Sequence, residues 1–314
     1  MAAATVAGEP APRASSFDAE CQARLELALS RLFVFAATFA VVFGLLAGFA
    51  SAAPAGEIEM ARMTSIEVRD AVAAGRTTVL VPTGGLEQNG RHMVTGKHNL
   101  IVAETARRIA RELGDALVAP VVPYVPQGRI WPRTGNMAWP GTVSLPDDVF
   151  EAVLAAVAES LKVQGFKTVV LIGDHGGNQA PQQRLAQRLT ATWASDGVRV
   201  VNASRYYFDN GGDAWLKSEG ETAATRGTHA GIRDTSELMA IDPTAVRLDA
   251  AIPDADGATG DARRASAARG EKLLAMKVAA ALAEIRAARA AKLTHVAPAE
   301  HTGVLARLYR LLFG

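Results

Sequence analysis

Short apolar runs alternate with longer stretches of helical periodicity through most of the chain. Runs rich in Val, Ile, Leu and Thr, bounded by Gly and Pro, are typical of strands that are buried on both faces. Four such runs predict strands, at residues 77–82, 117–122, 167–172 and 198–203.

The stretches between these runs carry the start and stop signals of helices. Pro146, Asp147 and Asp148 stand where a helix would begin, and Gly114 and Gly165 stand where helices would end. The pattern predicts helices at residues 100–113, 144–164, 182–195 and 263–292.

Strands that are separated by helices pair in parallel, because the connecting helix returns the chain to the same edge of the sheet. The alternation therefore predicts an α/β fold, a three-layer sandwich with a mainly parallel sheet and helices on both faces. No repeat of 20–50 residues is visible, which disfavours a solenoid. We interpret residues 54–314 as one domain.

The N-terminal segment has a different pattern. Residues 32–53 form an apolar run without charge that ends in a small-x-small sequence at Ala50–Ala52. A run of about 20 apolar residues is long enough to cross a membrane, and the small residues resemble a signal-peptidase site. Residues 1–53 are thus interpreted as a signal peptide or a membrane anchor, with a buried core helix as the remaining alternative. A signal peptide or an anchor predicts that the domain is exported. It would be periplasmic or secreted, or held at the inner membrane by residues 32–52.

The C-terminal tail, residues 304–313, is interpreted as a packed terminal helix.

Composition restricts the chemistry further. The 314 residues include 33 basic and 32 acidic side chains, so the chain lacks the positive charge expected of a nucleic-acid-binding protein. The single cysteine, Cys21, cannot form an internal disulfide or a cysteine-based zinc site. Any metal ion must therefore be held by histidines and carboxylates.

Three polar clusters follow the apolar runs, where ligands bind in parallel sheets. Four of the six histidines fall within them. The first cluster contains Glu87, Asn89, His92 and His98; the second contains Asp174, His175 and Asn178; the third contains His229, Asp234 and Glu237.

These clusters favour a metal-centred hydrolytic site. Imidazole and carboxylate groups are the ligands that suit zinc, manganese or iron. A glycine-rich loop after a strand also binds phosphate, but the GK[ST] ending of a nucleotide-binding P-loop is absent from the sequence. The sequence also lacks a G-x-S-x-G nucleophile motif, which disfavours covalent acyl-enzyme chemistry.

Four segments together resemble the creatininase (creatinine amidohydrolase) family. They read VPTGGLEQNGRH, WPGTVSLP, IGDHGGN and HAGIRDTS, and they span about residues 78–240. The resemblance implies a parallel α/β sandwich, often a homohexamer, that holds one or two divalent metal ions. It also implies hydrolysis of C–N bonds in small cyclic amides, formamides and related compounds.

The resemblance assigns roles to individual residues. Glu87 and His175 match metal ligands, and His229 matches the histidine that passes a proton between water and the leaving nitrogen. Asp234 stands where the family usually has a glutamate, and the resemblance implies an acidic catalytic role there.

Three positions depart from the family pattern. Asn89 replaces a metal-binding histidine, His98 replaces an aspartate that commonly bridges two metal ions, and Gly177 replaces a catalytic glutamate of creatininase itself. An amide is a poor zinc ligand, and a neutral imidazole cannot bridge two cations. We therefore expect a centre of Glu87, His98 and His175 with an open water position. One ion per chain is favoured over two, and a two-ion centre with a weakly bound second ion is the alternative. Zinc is expected, with manganese and iron as alternatives.

Other polar and aromatic residues are candidates for substrate contact or for support of the metal ligands. These are Asn89, His92, Asp174, Asn178, Trp131 and Trp139. The two tryptophans lie in a Pro- and Gly-rich segment, residues 122–146, that is typical of a long loop walling a pocket.

The sequence thus predicts an exported, metal-dependent amidohydrolase that acts on a small-molecule amide, lactam or formamide. The altered positions leave a second hypothesis open, a non-catalytic binding protein that kept the fold. A nucleotide-binding α/β domain is a third and weaker one. A homo-oligomer, possibly a hexamer in the family's manner, is the expected assembly, with membrane contact only through the N-terminal segment.

Overall fold

The computed structural model describes residues 56–293. Within this range four parallel strands form one sheet in the order β2-β1-β3-β4. The strands are β1 at Thr78–Thr83, β2 at Ala116–Val118, β3 at Thr168–Gly173 and β4 at Arg199–Asn202. In register, Thr83 at the end of β1 lies beside Gly173 at the end of β3. The loops that follow these two central strands therefore meet at one edge.

The described helices connect the strands and complete the chain. They are α1 (Ser65–Ala73), α2 (Lys97–Leu113), α3 (Asp147–Val163), α4 (Gly176–Trp193), α5 (Gly212–Ser218), α6 (Ala223–Arg226), α7 (Ile232–Ile241) and α8 (Ala267–Ala290).

Helices cover both faces of the sheet. Val79 and Val81 of β1 pack on one side, in a core that includes Phe150 and Leu154 of α3. Leu80, which lies between them in sequence, packs on the other side in a core that includes Ile109 of α2 and further residues of α8. This alternation follows from the two-residue repeat of a strand. The predicted three-layer α/β sandwich is confirmed.

The element boundaries differ from the predicted ones in ways that affect the site. Helix α2 begins at Lys97 rather than at residue 100, which places His98 in its first turn. Helix α4 begins at Gly176 rather than at residue 182, so His175 is its N-cap. Pro181 lies in the second turn of α4, where it removes one backbone hydrogen-bond donor from the helix. Helices α1, α5, α6 and α7 were not predicted.

The predicted leader or anchor (residues 1–53) and the predicted terminal helix (304–313) lie outside the described residues. Between residues 56 and 293, no helix combines the length and apolar character needed to cross a bilayer. The interpretation of the N-terminal segment stays a prediction.

Glu221 ties the segment before α6 to the segment that leads into α8. Its side chain is fully buried and accepts hydrogen bonds from Arg264 at 2.7 Å and Arg269 at 2.8 Å. The hydrogen bond from Arg264 is the largest influence on the Glu221 carboxyl, and together with Arg269 it lowers the pKa to about 2, against an ordinary value of 4.5.

This ion pair predicts a pH-dependent stability difference. A lowered folded-state pKa stabilises the protein above pH 4.5, and this contribution is lost as the pH falls toward about 2. We expect Glu221→Gln to lower the free energy of unfolding by about 2–3 kcal/mol at pH 7. The difference between wild type and variant, measured by urea unfolding, should shrink steadily between pH 4.5 and pH 3. A difference that is constant across this range would contradict the assigned ion pair.

Candidate metal centre

Glu87, His98 and His175 converge at the carboxyl edge of the sheet. Glu87 lies in the loop after β1, His98 in the first turn of α2, and His175 directly after β3. One potential ligand atom from each side chain lies within 4.8 Å of the other two. Residues that are 88 positions apart in sequence thus form one cluster, because β1 and β3 are neighbours in the sheet.

Glu87 is the centre of this cluster and is fully buried. His98 Nε2 lies 2.6 Å from Glu87 Oε1, and His175 Nε2 lies 3.2 Å from Glu87 Oε2. The amide of Asn136 also donates to Oε2. Burial by itself would raise the pKa of the Glu87 carboxyl, but the neighbouring charges of His98 and Lys97 hold that pKa well below its usual value. Glu87 is therefore ionised and able to bind a cation.

His98 is held from behind by Asp174. His98 Nδ1 lies 2.8 Å from Asp174 Oδ2, so a proton on Nδ1 leaves Nε2 facing Glu87. Burial lowers the pKa of the His98 ring, as does Lys97, yet the carboxylates of Glu87 and Asp174 outweigh both and raise it. A carboxylate behind the non-ligating nitrogen is the usual way to fix the orientation of a metal-binding histidine.

Asp174 is itself anchored in a buried network. Its Oδ1 atom accepts a hydrogen bond from the Tyr206 hydroxyl at 2.7 Å and from Lys277 Nζ at 2.5 Å. Lys277 also donates to Glu237 Oε2 at 2.8 Å. These contacts leave Asp174 little freedom to turn, so its orientation toward His98 is fixed by packing.

We expect Asp174→Asn to weaken metal affinity by about 10–100-fold, because the amide no longer holds the His98 ring as a carboxylate does. Zinc titration of the metal-free protein by calorimetry measures the change. Glu237→Gln is the matched control, since it changes the carboxyl group on the other side of Lys277 without touching His98. Equal losses in the two variants would mean that the hydrogen bonds around Lys277, rather than the orientation of His98, set the affinity.

The backbone after β3 positions His175. The amide of Gly177 donates to His175 Nδ1 at 3.1 Å, so Nε2 is the nitrogen that faces Glu87. In the neutral ring this contact places the proton on Nε2. A metal ion bound through Nε2 would require that proton to leave that nitrogen and the Gly177 contact to loosen.

His229 approaches the same carboxylate from the loop before α7. Its Nδ1 atom lies 3.7 Å from Glu87 Oε1, and its Nε2 atom lies 2.9 Å from the carbonyl oxygen of Gln88. Nε2 also lies 2.9 Å from the side-chain amide nitrogen of Gln88. In the tautomer whose Nε2 donates to the Gln88 carbonyl, Nδ1 is the free acceptor. Burial lowers the pKa of the His229 ring, and Lys97 lowers it further. The ring is thus neutral at pH 7 and able to take up a proton.

Asp234 faces Lys97 rather than His229. Its Oδ2 atom accepts a hydrogen bond from Lys97 and another, at 2.9 Å, from the backbone amide of Ala230. Burial would raise the pKa of the Asp234 carboxyl, but Lys97 and His98 lower it far below the usual range. Because Ala230 follows His229 in sequence, Asp234 fixes the position of the loop that carries the histidine.

The other candidate polar residues make mainly structural contacts. Asn89 donates to the carbonyl oxygens of Glu87 and Val94, each at 3.1 Å. Asn178 donates to Thr83 and Gly84 at the end of β1. His92 lies 3.0 Å from the carbonyl oxygen of Ala230. These three side chains hold the loops on which the cluster is built.

The cluster opens into a cavity of about 560 Å³. Its lining includes residues from the start of α2, the turn after β3, the segment after β4, the loop before α7, α7 itself and α8: Lys97, His98, Asp174, His175, Tyr207, Asn210, His229, Asp234 and Lys277. Within residues 56–293 this lining does not include Trp131, which is 86% exposed, or Trp139. The structure does not bring the two tryptophans to the site.

Sequence reasoning missed the two buried lysines. Lys97 is fully buried beside Glu87, and Lys277 is 4% exposed beside Asp174. The burial of Lys277 was predictable from helical spacing. It lies in α8 four residues after Leu273 and four before Ala281, both of which are buried. The burial of Lys97 was not predictable, because the sequence pattern placed it in a loop.

Comparison with known proteins agrees with this architecture. The family model for creatinine amidohydrolase matches residues 61–285. Over 195 residues the chain is 29% identical to the creatinine amidohydrolase of Pseudomonas putida, covering 60% of this chain and 74% of that protein. Over 227 residues it is 29% identical to the mycofactocin precursor peptide peptidase of Mycolicibacterium smegmatis, covering 64% of this chain and 81% of that one.

Solved structures of creatininase share the fold. One named as a manganese creatininase superposes with a TM-score of 0.62 at 24% identity, covering 75% of this chain and 100% of its own. A mutant creatininase of Zn–Zn type gives a TM-score of 0.61, with the same identity and coverage. At this level of identity the structural match establishes the architecture alone.

Proposed function

Because the chain belongs to the creatininase family, we propose that it is a metal-dependent amidohydrolase that cleaves a C–N bond in a small amide, lactam or formamide. The family supports a hydrolase that acts on amide bonds. The metal dependence and the class of substrate are proposed from the site.

The observation that carries the proposal is the convergence of Glu87, His98 and His175 beside His229, with the three histidines lining one cavity. Two imidazoles and one carboxylate form the usual protein donor set of a catalytic zinc ion. The surrounding charges also fit a cation. Four acidic side chains meet two buried lysines at this centre: Glu87, Asp174, Asp234 and Glu237 on one side, and Lys97 and Lys277 on the other.

A divalent ion held by these three side chains would make water a better nucleophile at neutral pH and polarise the carbonyl group of the substrate. The chain's own residues supply the proton transfer. His229 Nδ1, on the Glu87 side of its ring, takes a proton from the attacking water and returns it to the departing nitrogen. Asp234 supports this transfer by fixing the loop that carries His229.

We propose one ion per chain, with zinc preferred and manganese or iron as alternatives. The domain beginning near residue 57, purified and dialysed, should contain close to one such ion by elemental analysis. Two ions per chain would contradict the assigned stoichiometry. A protein that binds no divalent ion would contradict the metal-dependent hydrolase and favour the binding-protein hypothesis.

Turnover separates an enzyme from a binding protein that kept the fold. We expect hydrolysis of at least one compound in a panel of lactams, cyclic ureides and formamides, detected by release of the amine. Creatinine belongs in the panel, although the altered residues at positions 89, 98 and 177 favour a related amide. Short peptides belong there too, because one relative is a peptide peptidase. Peptide cleavage alone would contradict the proposed small-molecule substrate, and binding without turnover would support the second hypothesis.

We also propose that the domain is exported, by a leader or anchor within residues 1–53, and that it forms a homo-oligomer. The uncharged apolar run at 32–53 supports export. Fractionation of cells expressing the full chain tests it, with the domain expected in the periplasmic, secreted or membrane fraction. Recovery only in the cytoplasm would contradict export. Light scattering of the purified domain tests the oligomer.

A further inference from the structure

Residue 89, where the family has a metal-binding histidine, offers only a weak ligand for a second ion. Asn89 uses its amide nitrogen to hold two backbone carbonyls, and its buried Oδ1 atom, which has no hydrogen-bond partner within residues 56–293, is an amide oxygen rather than an imidazole nitrogen. Gly177, where creatininase has a catalytic glutamate, has no side chain. A Cβ atom added at Gly177 would lie 2.3 Å from the carbonyl oxygen of Pro126, so a larger residue requires the backbone to move. The residues present therefore do not fit a two-metal centre.

A buried ammonium group lies beside the ligand cluster. Lys97 is fully buried, its Nζ atom lies 3.5 Å from Glu87 Oε1, and it donates a hydrogen bond to Asp234. Burying an ammonium group is costly unless it is paired with opposite charge. Lys97 thus binds the two carboxylates as a small cation would.

We propose that the ammonium group of Lys97 takes the electrostatic place of a second divalent cation and thereby limits this centre to one ion. The inference rests on the proposed metal-dependent function and goes beyond it, because it assigns the limit to a specific side chain. Lys97 Nζ already brings a positive charge to within 3.5 Å of Glu87 Oε1, on the carboxylate at the centre of the ligand cluster. A second divalent ion would add to the repulsion between positive charges around this one carboxylate.

Lys97 is in this view a positioning residue that acts through its two partners. It holds Glu87, which faces both metal-binding histidines, and it holds Asp234, which fixes the loop of His229 through the amide of Ala230. One fixed charge thereby joins the ligand cluster to the proton-transfer histidine.

The first test compares Lys97→Met with Lys97→Arg. The methionine removes the charge at similar size, and the arginine keeps it. We expect Lys97→Met to bind the first zinc ion at least about tenfold more tightly than wild type, because the repelling charge beside Glu87 is gone. We expect Lys97→Arg to bind one ion with near wild-type affinity. Calorimetric titration and metal content give both results without any substrate. Unchanged affinity in Lys97→Met would overturn the proposal.

The second test is a matched pair of variants that differ only at residue 97. Asn89→His with His98→Asp restores the family's ligand types and keeps Lys97. The triple variant adds Lys97→Met. If Lys97 limits the centre, the double variant holds one zinc ion and the triple variant holds two. Two ions in both variants would show that ligand identity alone sets the number, and one ion in both would show that Lys97 does not set it.

The wild-type protein in the same experiments distinguishes a failure of the proposed function from a failure of the proposed role of Lys97. Absence of zinc from wild type after incubation with the ion would contradict the proposed function itself. One ion in wild type, combined with equal stoichiometry in the matched pair, would contradict only the role of Lys97.

Discussion

Replacement of His175 by alanine is expected to abolish tight zinc binding and to lower turnover by at least about a thousandfold. The variant leaves only Glu87 and His98, and two protein ligands seldom retain a catalytic zinc ion. Without the ion, neither the activation of water nor the polarisation of the carbonyl is available, and these effects amount to several kcal/mol. Elemental analysis after dialysis and turnover of the best panel substrate measure the two effects.

His92→Asn is the matched control for this variant. His92 is a buried histidine of the same loop as Glu87, but it lies against Ala230 and Thr235 rather than in the cluster. We expect it to lose stability while it keeps one ion per chain. If His175→Ala keeps its full metal content, His175 is not a ligand of the metal ion.

Replacement of His229 by glutamine is expected to lower turnover by about 10²–10⁴-fold while metal content stays at the wild-type level. Glutamine is able to keep a hydrogen bond to the Gln88 carbonyl, but it cannot take up and return a proton. His229 Nδ1 lies 3.7 Å from Glu87, close enough to reach a water beside the ligand cluster. The combination of lost turnover and retained metal is the mark of a proton-transfer residue.

Two further results define the role of His229. If His229→Gln loses the metal ion together with turnover, His229 is a metal ligand. If the variant keeps full turnover, another residue transfers the proton. Asp234→Asn is the informative companion variant, since Asp234 touches the loop of His229 but not its ring. We expect it to lower turnover less than His229→Gln does.

The positions of the strands were predictable because the sequence pattern of a buried strand is local. Runs of apolar β-branched residues indicate a strand that is buried on both faces. The four predicted runs correspond to β1 to β4, with boundaries shifted by a few residues. Helix starts were less predictable. Residues 97–99 and 176–181 contain polar residues, glycines and a proline that resemble a loop, yet both stretches are helical because packing against the sheet outweighs local preference.

The candidate metal ligands and the candidate pocket residues differ in how well the sequence predicted their positions. Glu87, His98 and His175 were selected by residue type, by their places after strands and by a family resemblance, and the structure brings the three together. The same reasoning selected Trp131 and Trp139 as possible pocket walls, but the structure leaves both away from the cavity. A loop can fold back in many directions, and its sequence alone does not choose one.

The sequence by itself determined the α/β class, the parallel sheet and the family, because periodicity and motif order are properties of the chain read in one dimension. Only the tertiary structure decided which charges share a buried site. Lys97 joins Glu87 and Asp234, and Lys277 joins Asp174 and Glu237 across 103 and 40 residues. Such pairings depend on distances in space, and the free energy of a buried charge depends on what lies within a few ångströms of it.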